Sequence, residues 1–233
     1  MSTERAARRG THSGIRIQTF LARLPMFSEM RADELDRIAA HTVPQYFAKG
    51  EAIFHQGDPC AGFHIVVYGQ VTLGFNSAHG GEKVVEIMGP GQSFGEAVMF
   101  LGKPYPVFGR ALADTMLLHV GRHGVLEEVE RNPPFARRML AGLARRLHML
   151  VRDVEAYSLR SSTERFIGYL LREVEAPAEV ELAAGKSVVA SRLNMTPEHF
   201  SRVLAELSSA GLIEVHGRKV RILDLERLRR YGA

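Results

Sequence analysis

The 233-residue sequence has one cysteine, Cys60, no tryptophan and no long uninterrupted apolar run. A single thiol cannot build a disulfide framework within one chain, and it cannot supply the ligands of an iron–sulfur cluster or a four-cysteine zinc site. Without an apolar stretch of about 20 residues, neither a membrane span nor a signal peptide is predicted. No P-loop, nucleophile elbow or zinc-type His/Glu helix is present. We therefore expect a cytoplasmic protein that is not an enzyme and has no membrane partner.

Positive charge is concentrated at the two ends of the chain, although the formal net charge is only +4. Residues 1–20 carry +3, residues 21–158 carry −1 and residues 159–233 carry +2. The ends, and not the middle, are therefore suited to approach a polyanion such as nucleic acid. For the first residues a solubilising role is the alternative, and we predict a flexible basic tail over residues 1–22.

Short runs of β-forming residues recur between Val43 and Val120, separated by glycine-containing turns. Many short strands with regular turn signals are typical of an antiparallel barrel or sandwich. We therefore predict a β-roll domain over residues 23–131. The predicted strands are 52–54, 63–68, 71–75, 84–88, 107–112 and 116–120, and short helices are expected near 15–24 and 28–40.

A long helix is predicted over residues 132–160. Its apolar residues repeat at spacings of three and four, close to the heptad pattern of a coiled coil, and a second apolar stripe lies beside the first. Such a helix can pack on its own roll and on a twin helix at once, so we predict a homodimer. The residues assigned to the dimer contact are Met139, Leu143, Leu147, Leu150 and Val154.

Residues 186–207 read as two short helices joined by a tight turn. Asn194 is placed at the turn, and asparagine tolerates the left-handed conformation better than most residues. Thr196 and Pro197 then provide an N-cap hydroxyl and a proline at the first helical position. The second helix buries one apolar stripe and leaves Glu198, Ser201 and Arg202 on the other face. This layout predicts a helix-turn-helix whose second helix enters the DNA major groove.

The following residues predict a wing, since 212–215 and 220–223 read as strands around a basic turn. We therefore predict a winged helix-turn-helix domain over residues 161–233. A plain helical hairpin is the alternative, but it would not require the turn residue, the cap and the apolar stripe in register. The residues predicted to contact the DNA backbone are Thr196, His199, Arg218 and Lys219.

A β-roll, a long helix and a C-terminal winged helix, in this order, resemble the CRP/FNR superfamily of bacterial transcription regulators. The glycine turns at 54–58 and 68–71 and the segment 91–96 resemble the family's roll motifs. The resemblance implies an α+β fold with a cyclic-nucleotide-binding-like jelly roll. It also implies a dimeric activator that binds double-stranded DNA and works with RNA polymerase.

The segment Pro197-Glu198-x-x-Ser201-Arg202 resembles the recognition helix of the FNR-like branch, which implies a site close to TTGAT-N4-ATCAA. This is chemically reasonable, because arginine can grip guanine O6 and N7 while glutamate accepts from a cytosine amino group. The FNR-type iron–sulfur cluster is not expected, since the chain has one cysteine.

In cyclic-AMP-responsive members an Arg-Ser pair binds the cyclic phosphate about ten residues after the Glu of the "GE" motif. Here Glu96 is present, but Pro106 and Val107 stand at the positions of that pair. A phosphate buried there would lack its guanidinium and hydroxyl partners, so we do not expect cyclic AMP to be the effector.

The sequence is most similar to the DNR-type branch, which responds to nitric oxide through haem. By this resemblance, haem b would lie between the roll and the long helix, and its iron would take an axial histidine. The predicted effector pocket consists of Glu96, Met99, Phe100, Phe108 and Leu147, and the candidate iron ligands are His148, His64 and His41. The alternatives are a regulator with another effector and a constitutive DNA binder without one.

Overall fold

The computed structural model describes residues 16–27, 29–76, 82–173 and 179–231. Its N-terminal part contains two four-stranded antiparallel sheets. Their strands are β1 (Thr42–Phe47), β2 (Ala52–Phe54), β3 (Gly62–Tyr68), β4 (Val71–Asn76), β5 (Glu82–Met88), β6 (Ser93–Phe94), β7 (Phe108–Ala111) and β8 (Thr115–Gly121). The strand orders are β1-β8-β3-β6 and β2-β7-β4-β5. This architecture confirms the predicted roll and the α+β class.

Strand β1 was not among the predicted runs, because Pro44 interrupts its β-forming pattern. Proline cannot donate to a ladder and is tolerated only where no donor is needed. Here β1 is the edge strand of its sheet and pairs with β8 alone. The tertiary position of the strand therefore accommodates a residue that argues against a strand in the sequence.

The space between the two sheets is filled by apolar side chains from both of them. Phe54 stacks on Tyr105 with ring centroids 3.7 Å apart, and Phe94 lies 6.1 Å from Phe54. Val66 and Leu117 are fully buried in the same cluster. Burial of such a side chain contributes roughly 1.5–3 kcal/mol. The roll is thus closed around one apolar core.

The turn between β3 and β4 requires glycine at position 69. Gly69 has a φ of +84°, and an added Cβ would lie 2.4 Å from the hydroxyl oxygen of Thr115. Both the backbone conformation and the lack of space exclude a larger residue. The Gly-x-Val turn that supports the family resemblance is therefore a structural requirement of the roll.

Within the described residues, four short helices flank the roll. They are α1 (Ile17–Leu21), α2 (Ala32–Ala40), α3 (Glu96–Leu101) and α4 (Arg122–Arg131). Leu21 and Ile38 are fully buried in a second apolar cluster, with Ile65 and Leu118 of the roll. The predicted tail over residues 1–22 therefore extends too far, because Leu21 is part of the folded core. The rest of that tail, residues 1–15, lies outside the described ranges.

The predicted long helix is α5 (Pro133–Leu159). Asn132 caps it, since its Oδ1 accepts a hydrogen bond from the backbone N–H of Phe135 at 3.1 Å. Phe135 and Met139 pack in the second apolar cluster, so this end of the helix lies against its own roll. Among the described helices, none is both long and apolar enough to cross a membrane.

The exposed apolar stripe of the long helix differs from the predicted one. Met139 is buried against the roll, and Leu143 is half-buried on the same side, so assigning these two residues to a dimer contact is wrong. Leu150 lies between the two faces and is 44% exposed. Two adjacent apolar stripes were visible in the sequence, but their periodicity does not say which one packs inward. The residues of the exposed stripe, at spacings of four and three, are Leu140, Ala144, Leu147, Val151 and Val154.

The C-terminal domain has its own core. Phe166 and Phe200 meet edge to face in it, with ring centroids 5.0 Å apart. Its three-stranded sheet has the order β10-β11-β9, so the predicted wing strands gain a third neighbour that was not predicted. The elements of this domain are α6 (Ser162–Glu173), β9 (Glu179–Glu181), α7 (Lys186–Arg192), α8 (Pro197–Ser209), β10 (Ile213–His216), β11 (Lys219–Ile222) and α9 (Leu225–Tyr231).

The two domains touch where α7 lies against β5 of the roll. Lys83 donates from Nζ to the backbone oxygen of Ser191, and to Oδ1 of Asn194 at 3.1 Å. The backbone N–H of Val84 donates to Oγ of Ser191 at 3.0 Å. The first helix of the helix-turn-helix is therefore held on the roll by directional hydrogen bonds.

Candidate DNA interface and effector cavity

The helices α7 and α8 meet in the predicted helix-turn-helix. Asn194 has a φ of +58°, and it is the one non-glycine residue with positive φ in the described ranges. Ala190 is fully buried where the two helices approach each other. Oγ1 of Thr196 accepts a hydrogen bond from the backbone N–H of His199 at 3.2 Å, so Thr196 caps α8. The turn residue and the cap are both confirmed.

The exposed face of α8 brings together the three residues predicted to contact bases. Glu198, Ser201 and Arg202 are all exposed near the N-terminal end of the helix, opposite its buried stripe. The hydroxyl of Ser201 donates to the backbone oxygen of Pro197 at 2.9 Å, and Nη2 of Arg202 lies 3.3 Å from Nδ1 of His199. This face is therefore accessible to a groove and stabilised by short local contacts.

The carboxylate of Glu198 is ionised at neutral pH. Its pKa is lowered first by a hydrogen bond with its own backbone N–H and then by the hydroxyl of Thr196. A carboxylate is also favoured in the first turn of a helix by the helix dipole. Glu198 and Arg202 thus present an acceptor and a charged donor side by side, which is what base edges in the major groove require.

The wing differs from this face, because its cations carry local counter-ions. Arg218 pairs with Glu181, and Nζ of Lys219 lies 2.9 Å from Oε1 of Glu179. Hydrogen bonding to Glu179 raises the pKa of Lys219. Both acids belong to β9, the strand that the sequence analysis missed because its Glu-Val-Glu run resembles a polar loop. The predicted backbone contacts at Arg218 and Lys219 therefore start from neutralised pairs.

Arg192, the last residue of α7, is paired with carboxylates from both other parts of the protein. Its Nη2 lies 2.6 Å from Asp153 of the long helix and 3.4 Å from Glu86 of β5. The side chains of Arg192 and Asp153 are only 13% and 12% exposed, so solvent screens this pair weakly. Sequence reasoning missed this three-residue cluster, since its members are far apart in the chain.

Beside this cluster, a cavity of about 430 Å³ lies between the roll, the long helix and α7. Such a volume is typical of small-molecule sites. Apolar lining comes from Leu24, Phe27, Ile65, Met88, Met139 and Leu143. Charged side chains in the lining are Glu86, Glu96, Arg145, Arg146, Asp153 and Arg192.

Of the five residues predicted to form the effector pocket, Glu96 alone lines this cavity. Met99 is fully buried in the second apolar cluster, and Phe100 packs at its edge. Phe108 is buried beneath the guanidinium of Arg110, and Leu147 is 64% exposed on the outer stripe of the long helix. The predicted slot is therefore wrong as a single site, because its members lie on different faces of the roll and the helix.

None of the three candidate haem ligands lines the cavity. His148 and His41 are exposed. His64 is buried inside the roll, where its Nε2 lies 3.2 Å from Nδ1 of His119 and its ring stacks on Phe94. Burial, with a smaller contribution from His119, lowers the pKa of His64 to about 3, so its ring is neutral. The lining of the cavity therefore does not fit a histidine-ligated haem.

A smaller cavity of about 130 Å³ lies between the roll and the long helix, whose Leu143 and Arg146 form part of its wall. Pro106 and Val107 form part of its wall, at the positions where the cyclic-AMP-responsive pattern has arginine and serine. Glu96 also lines it, and burial raises the pKa of this carboxyl group, although hydrogen bonds with Ser93 and with its own backbone N–H and the charge of Arg146 act in the opposite direction. Glu96 is therefore stabilised by the roll and by the long helix together.

A β-roll joined through a long helix to an exposed helix-turn-helix defines a DNA-binding regulator. Residues 44–132 match the cyclic nucleotide-binding domain, and residues 164–231 match the Crp-like helix-turn-helix domain. The chain belongs to the CRP/FNR family of transcription regulators. Its curated relatives include transcription regulators.

Three relatives illustrate the similarity. The chain is 27% identical over 224 residues to the CRP-like cAMP-activated global transcriptional regulator of Mycobacterium tuberculosis, covering 90% of this chain and 97% of the relative. DNR from Pseudomonas aeruginosa is 30% identical, with a TM-score of 0.52 over 95% of this chain and 100% of DNR. FixK2 from Bradyrhizobium japonicum, 21% identical, shares the fold with a TM-score of 0.75 over 82% of this chain and 98% of FixK2.

Proposed function

We propose that this regulator acts as a homodimer that binds TTGAT-type palindromes under the control of a small molecule. The observation that carries the proposal is the exposed face of α8, which presents Glu198, Ser201 and Arg202. Thr196 caps this helix at its N-terminus. Arginine donating to guanine O6 and N7 discriminates against a wrong base by about 1–3 kcal/mol. RNA polymerase at the promoter is the partner in the same proposal.

Dimerisation is supported by the exposed stripe of the long helix. Its members Leu140, Leu147, Val151 and Val154 are 60–65% exposed, which is costly for apolar side chains in water. Their heptad spacing is that of a coiled-coil seam. A two-fold axis along this seam would present two α8 helices to half-sites about one DNA turn apart.

Control by a small molecule is supported by the position of the large cavity. Its wall contains residues of the roll, the long helix and α7, including Arg192, which joins all three. A molecule bound there contacts both the effector domain and the first helix of the helix-turn-helix. It therefore shifts the equilibrium between two arrangements of the domains if it binds one of them better.

The nitric-oxide and haem response stays a prediction from the resemblance to the DNR-type branch, with genes of denitrification or nitrosative stress as targets. It is tested by an absorption spectrum of the purified protein after addition of haem, with and without nitric oxide. A Soret shift lost in the variant of one histidine, His64, His148 or His41, would identify the ligand. Absence of saturable haem binding would reject the hypothesis.

DNA binding is tested by fluorescence anisotropy with a TTGAT-N4-ATCAA duplex and a scrambled duplex of equal composition, at one salt concentration. We expect the palindrome to bind at least about a thousandfold more tightly than the scrambled duplex. Equal affinity for both duplexes would overturn the proposed site. Affinity that no cell extract or small molecule alters would favour the constitutive alternative.

A further inference from the structure

Two guanidinium groups in the wall of the large cavity form no ion pair with a carboxylate among the described residues. Arg145 makes no hydrogen bond or ion pair with any residue that the structure describes. Arg146 donates to the backbone oxygen of Ser93 at 2.7 Å and to the sulfur of Met88 at 3.4 Å, and both acceptors are uncharged. The cavity therefore contains positive charge that the protein does not neutralise by ion pairing.

The acidic side chains of the same wall either form ion pairs with Arg192 or are buried, which disfavours their charged form. Asp153 and Glu86 both pair with Arg192. Glu96 is buried, which raises the pKa of its carboxyl group, and the nearby charge of Arg146 lowers it by less, without an ion pair between the two side chains. Charge complementarity at this site therefore favours an anionic ligand over a cationic or neutral one.

The remaining lining favours a ligand with a substantial apolar body. Leu24, Phe27, Met88 and Met139 are each at most 8% exposed, and Leu143 packs beside them. An inorganic phosphate or sulfate would leave this surface uncovered, and a hydrocarbon would leave the guanidinium groups without a counter-ion. The volume of about 430 Å³ accommodates a molecule with both features.

We propose that the cavity binds an amphipathic organic anion, a medium-chain carboxylate in its chemistry. Its apolar body lies on Leu24, Phe27 and Met139, and its carboxylate accepts hydrogen bonds from Arg145 and Arg146. This inference rests on the proposed function, because it names the chemical class of the effector. It makes the cavity between the domains, and not the interior of the roll, the site of the signal.

Arg192 links occupancy of the cavity to DNA binding. It is the one residue of the DNA-binding domain in the lining, and its two carboxylate partners, Asp153 and Glu86, are also lining residues. An anion in the cavity competes with these carboxylates for the guanidinium of Arg192. By thermodynamic reciprocity, DNA and the anion then change each other's affinity by the same factor.

The ligand class is tested by titration calorimetry of the full-length protein with decanoate and with decanol, which has the same chain without the charge. We expect decanoate to bind at least tenfold more tightly. Arg145→Leu should remove this preference and leave decanol binding unchanged. The matched control is Arg152→Leu, which changes an exposed arginine of the same helix outside the lining and should bind like the wild type.

A second variant, Leu143→Trp, fills the cavity and should abolish binding of both molecules while circular dichroism shows the folded protein. Binding of decanol as tight as that of decanoate would overturn the anion assignment. Decanoate binding that survives Leu143→Trp would place the molecule elsewhere and overturn the site. Loss of the preference in Arg152→Leu would do the same.

The link to DNA is tested by anisotropy with the palindrome in the presence of saturating decanoate. We expect at least a threefold change in Kd, the same factor in the decanoate Kd when DNA is bound, and a smaller factor in Asp153→Asn. An unchanged DNA affinity would overturn the coupling. If decanoate does not bind but the palindrome is bound specifically, this inference is overturned and the proposed function stands. If decanoate binds but the palindrome is not bound specifically, the proposed function is overturned.

Discussion

The proposed DNA-reading face and the proposed effector cavity are assembled from very different parts of the chain. The reading face lies within residues 196–202, on one helix and its cap. The wall of the cavity is formed by residues between Leu24 and Arg192, which belong to the roll, the long helix and the DNA-binding domain. The reading face can therefore form wherever its own helix forms, whereas the cavity exists only when both domains and the long helix are in place.

The two regions also differ in how they hold charge. Glu198 and Arg202 are exposed and surrounded by water, and they obtain their orientation from contacts within one helical turn. In the cavity, Arg192 and Asp153 are largely shielded and join distant elements. Exposed charges are weakly coupled to stability, and shielded charges are strongly coupled to it. We therefore expect substitutions on the reading face to leave the stability of the fold unchanged. Substitutions of the shielded charges in the cavity should change the arrangement of the domains.

The largest effect is expected at the exposed stripe, which belongs to neither region. Leu147→Asp places a charge in the proposed dimer seam, so light scattering should detect a monomer. Affinity for the palindrome should fall at least about a hundredfold, which is ~2.7 kcal/mol, because two half-sites are no longer held together. Leu101→Asp, an equally exposed leucine on the roll, is the control and should stay dimeric. A dimer with normal affinity in the first variant would refute this role of the stripe.

The next effect separates sequence reading from general attraction to DNA. Arg202→Ala removes the predicted donor to guanine and should cost about 1–3 kcal/mol of binding to the palindrome, with little change for the scrambled duplex. Arg229→Ala, an exposed arginine of the same domain on α9, is the matched control. Anisotropy with both duplexes distinguishes the two results. Equal losses on both duplexes would show that Arg202 contacts the backbone and not a base.

Acid should weaken the roll through His64. The pKa of His64 is lowered from 6.5 to about 3 by burial, and that of His119 is also lowered by burial. Between pH 6.5 and about pH 3, His64 binds a proton in the unfolded chain but not in the folded roll. The free energy of unfolding therefore falls as pH falls. One such group accounts for about 2 kcal/mol between pH 7 and pH 5.

Urea unfolding followed by circular dichroism measures this pH dependence. His64→Leu should flatten it, and the control His148→Leu, which changes an exposed histidine, should leave it as in the wild type. If His64→Leu lost as much stability in acid as the wild type does, another group would be responsible.

The smallest effect is expected at the wing. Lys219→Ala should weaken binding to all DNA sequences only slightly, because Lys219 is already paired with Glu179 and exposed pairs contribute little. Glu179→Gln should strengthen binding to both duplexes by releasing that lysine for phosphate. The number of counter-ions released on binding, measured from the salt dependence of Kd, should fall by about one in Lys219→Ala and rise by about one in Glu179→Gln. A sequence-dependent effect of either variant would contradict a pure backbone role.

Local patterns predicted the DNA-binding domain well because each signal acts within a few residues. Asn194 has the left-handed backbone of the turn, and Thr196 caps α8 as expected. Strand β9 was missed because its pairing partner, β11, lies forty residues further on and its own sequence is polar. Because β9 supplies the acids that pair with Arg218 and Lys219, the sequence predicted the two cations of the wing but not their neutralisation.

The long helix shows where periodicity stops being informative. Its two apolar stripes were found, but Met139 and Leu143 face the roll while Leu140 and Val151 face outward. Hydrophobic spacing fixes the angle between two faces of a helix and contains no information on what lies opposite each face. The predicted effector pocket failed for the same reason, since Met99, Phe108 and Leu147 share a chemical character without sharing a surface.

For this protein the sequence by itself determined the class of fold, the order of the domains and the position of the helix-turn-helix. These depend on caps, turn glycines and apolar periods, which act over one or two turns of backbone. Only the tertiary structure decided which stripe of the long helix is exposed, that the wing is neutralised, and that a cavity with Arg145 and Arg192 lies between the domains. Those features bring together residues up to 168 positions apart, such as Leu24 and Arg192 in the wall of one cavity, and no local pattern encodes them.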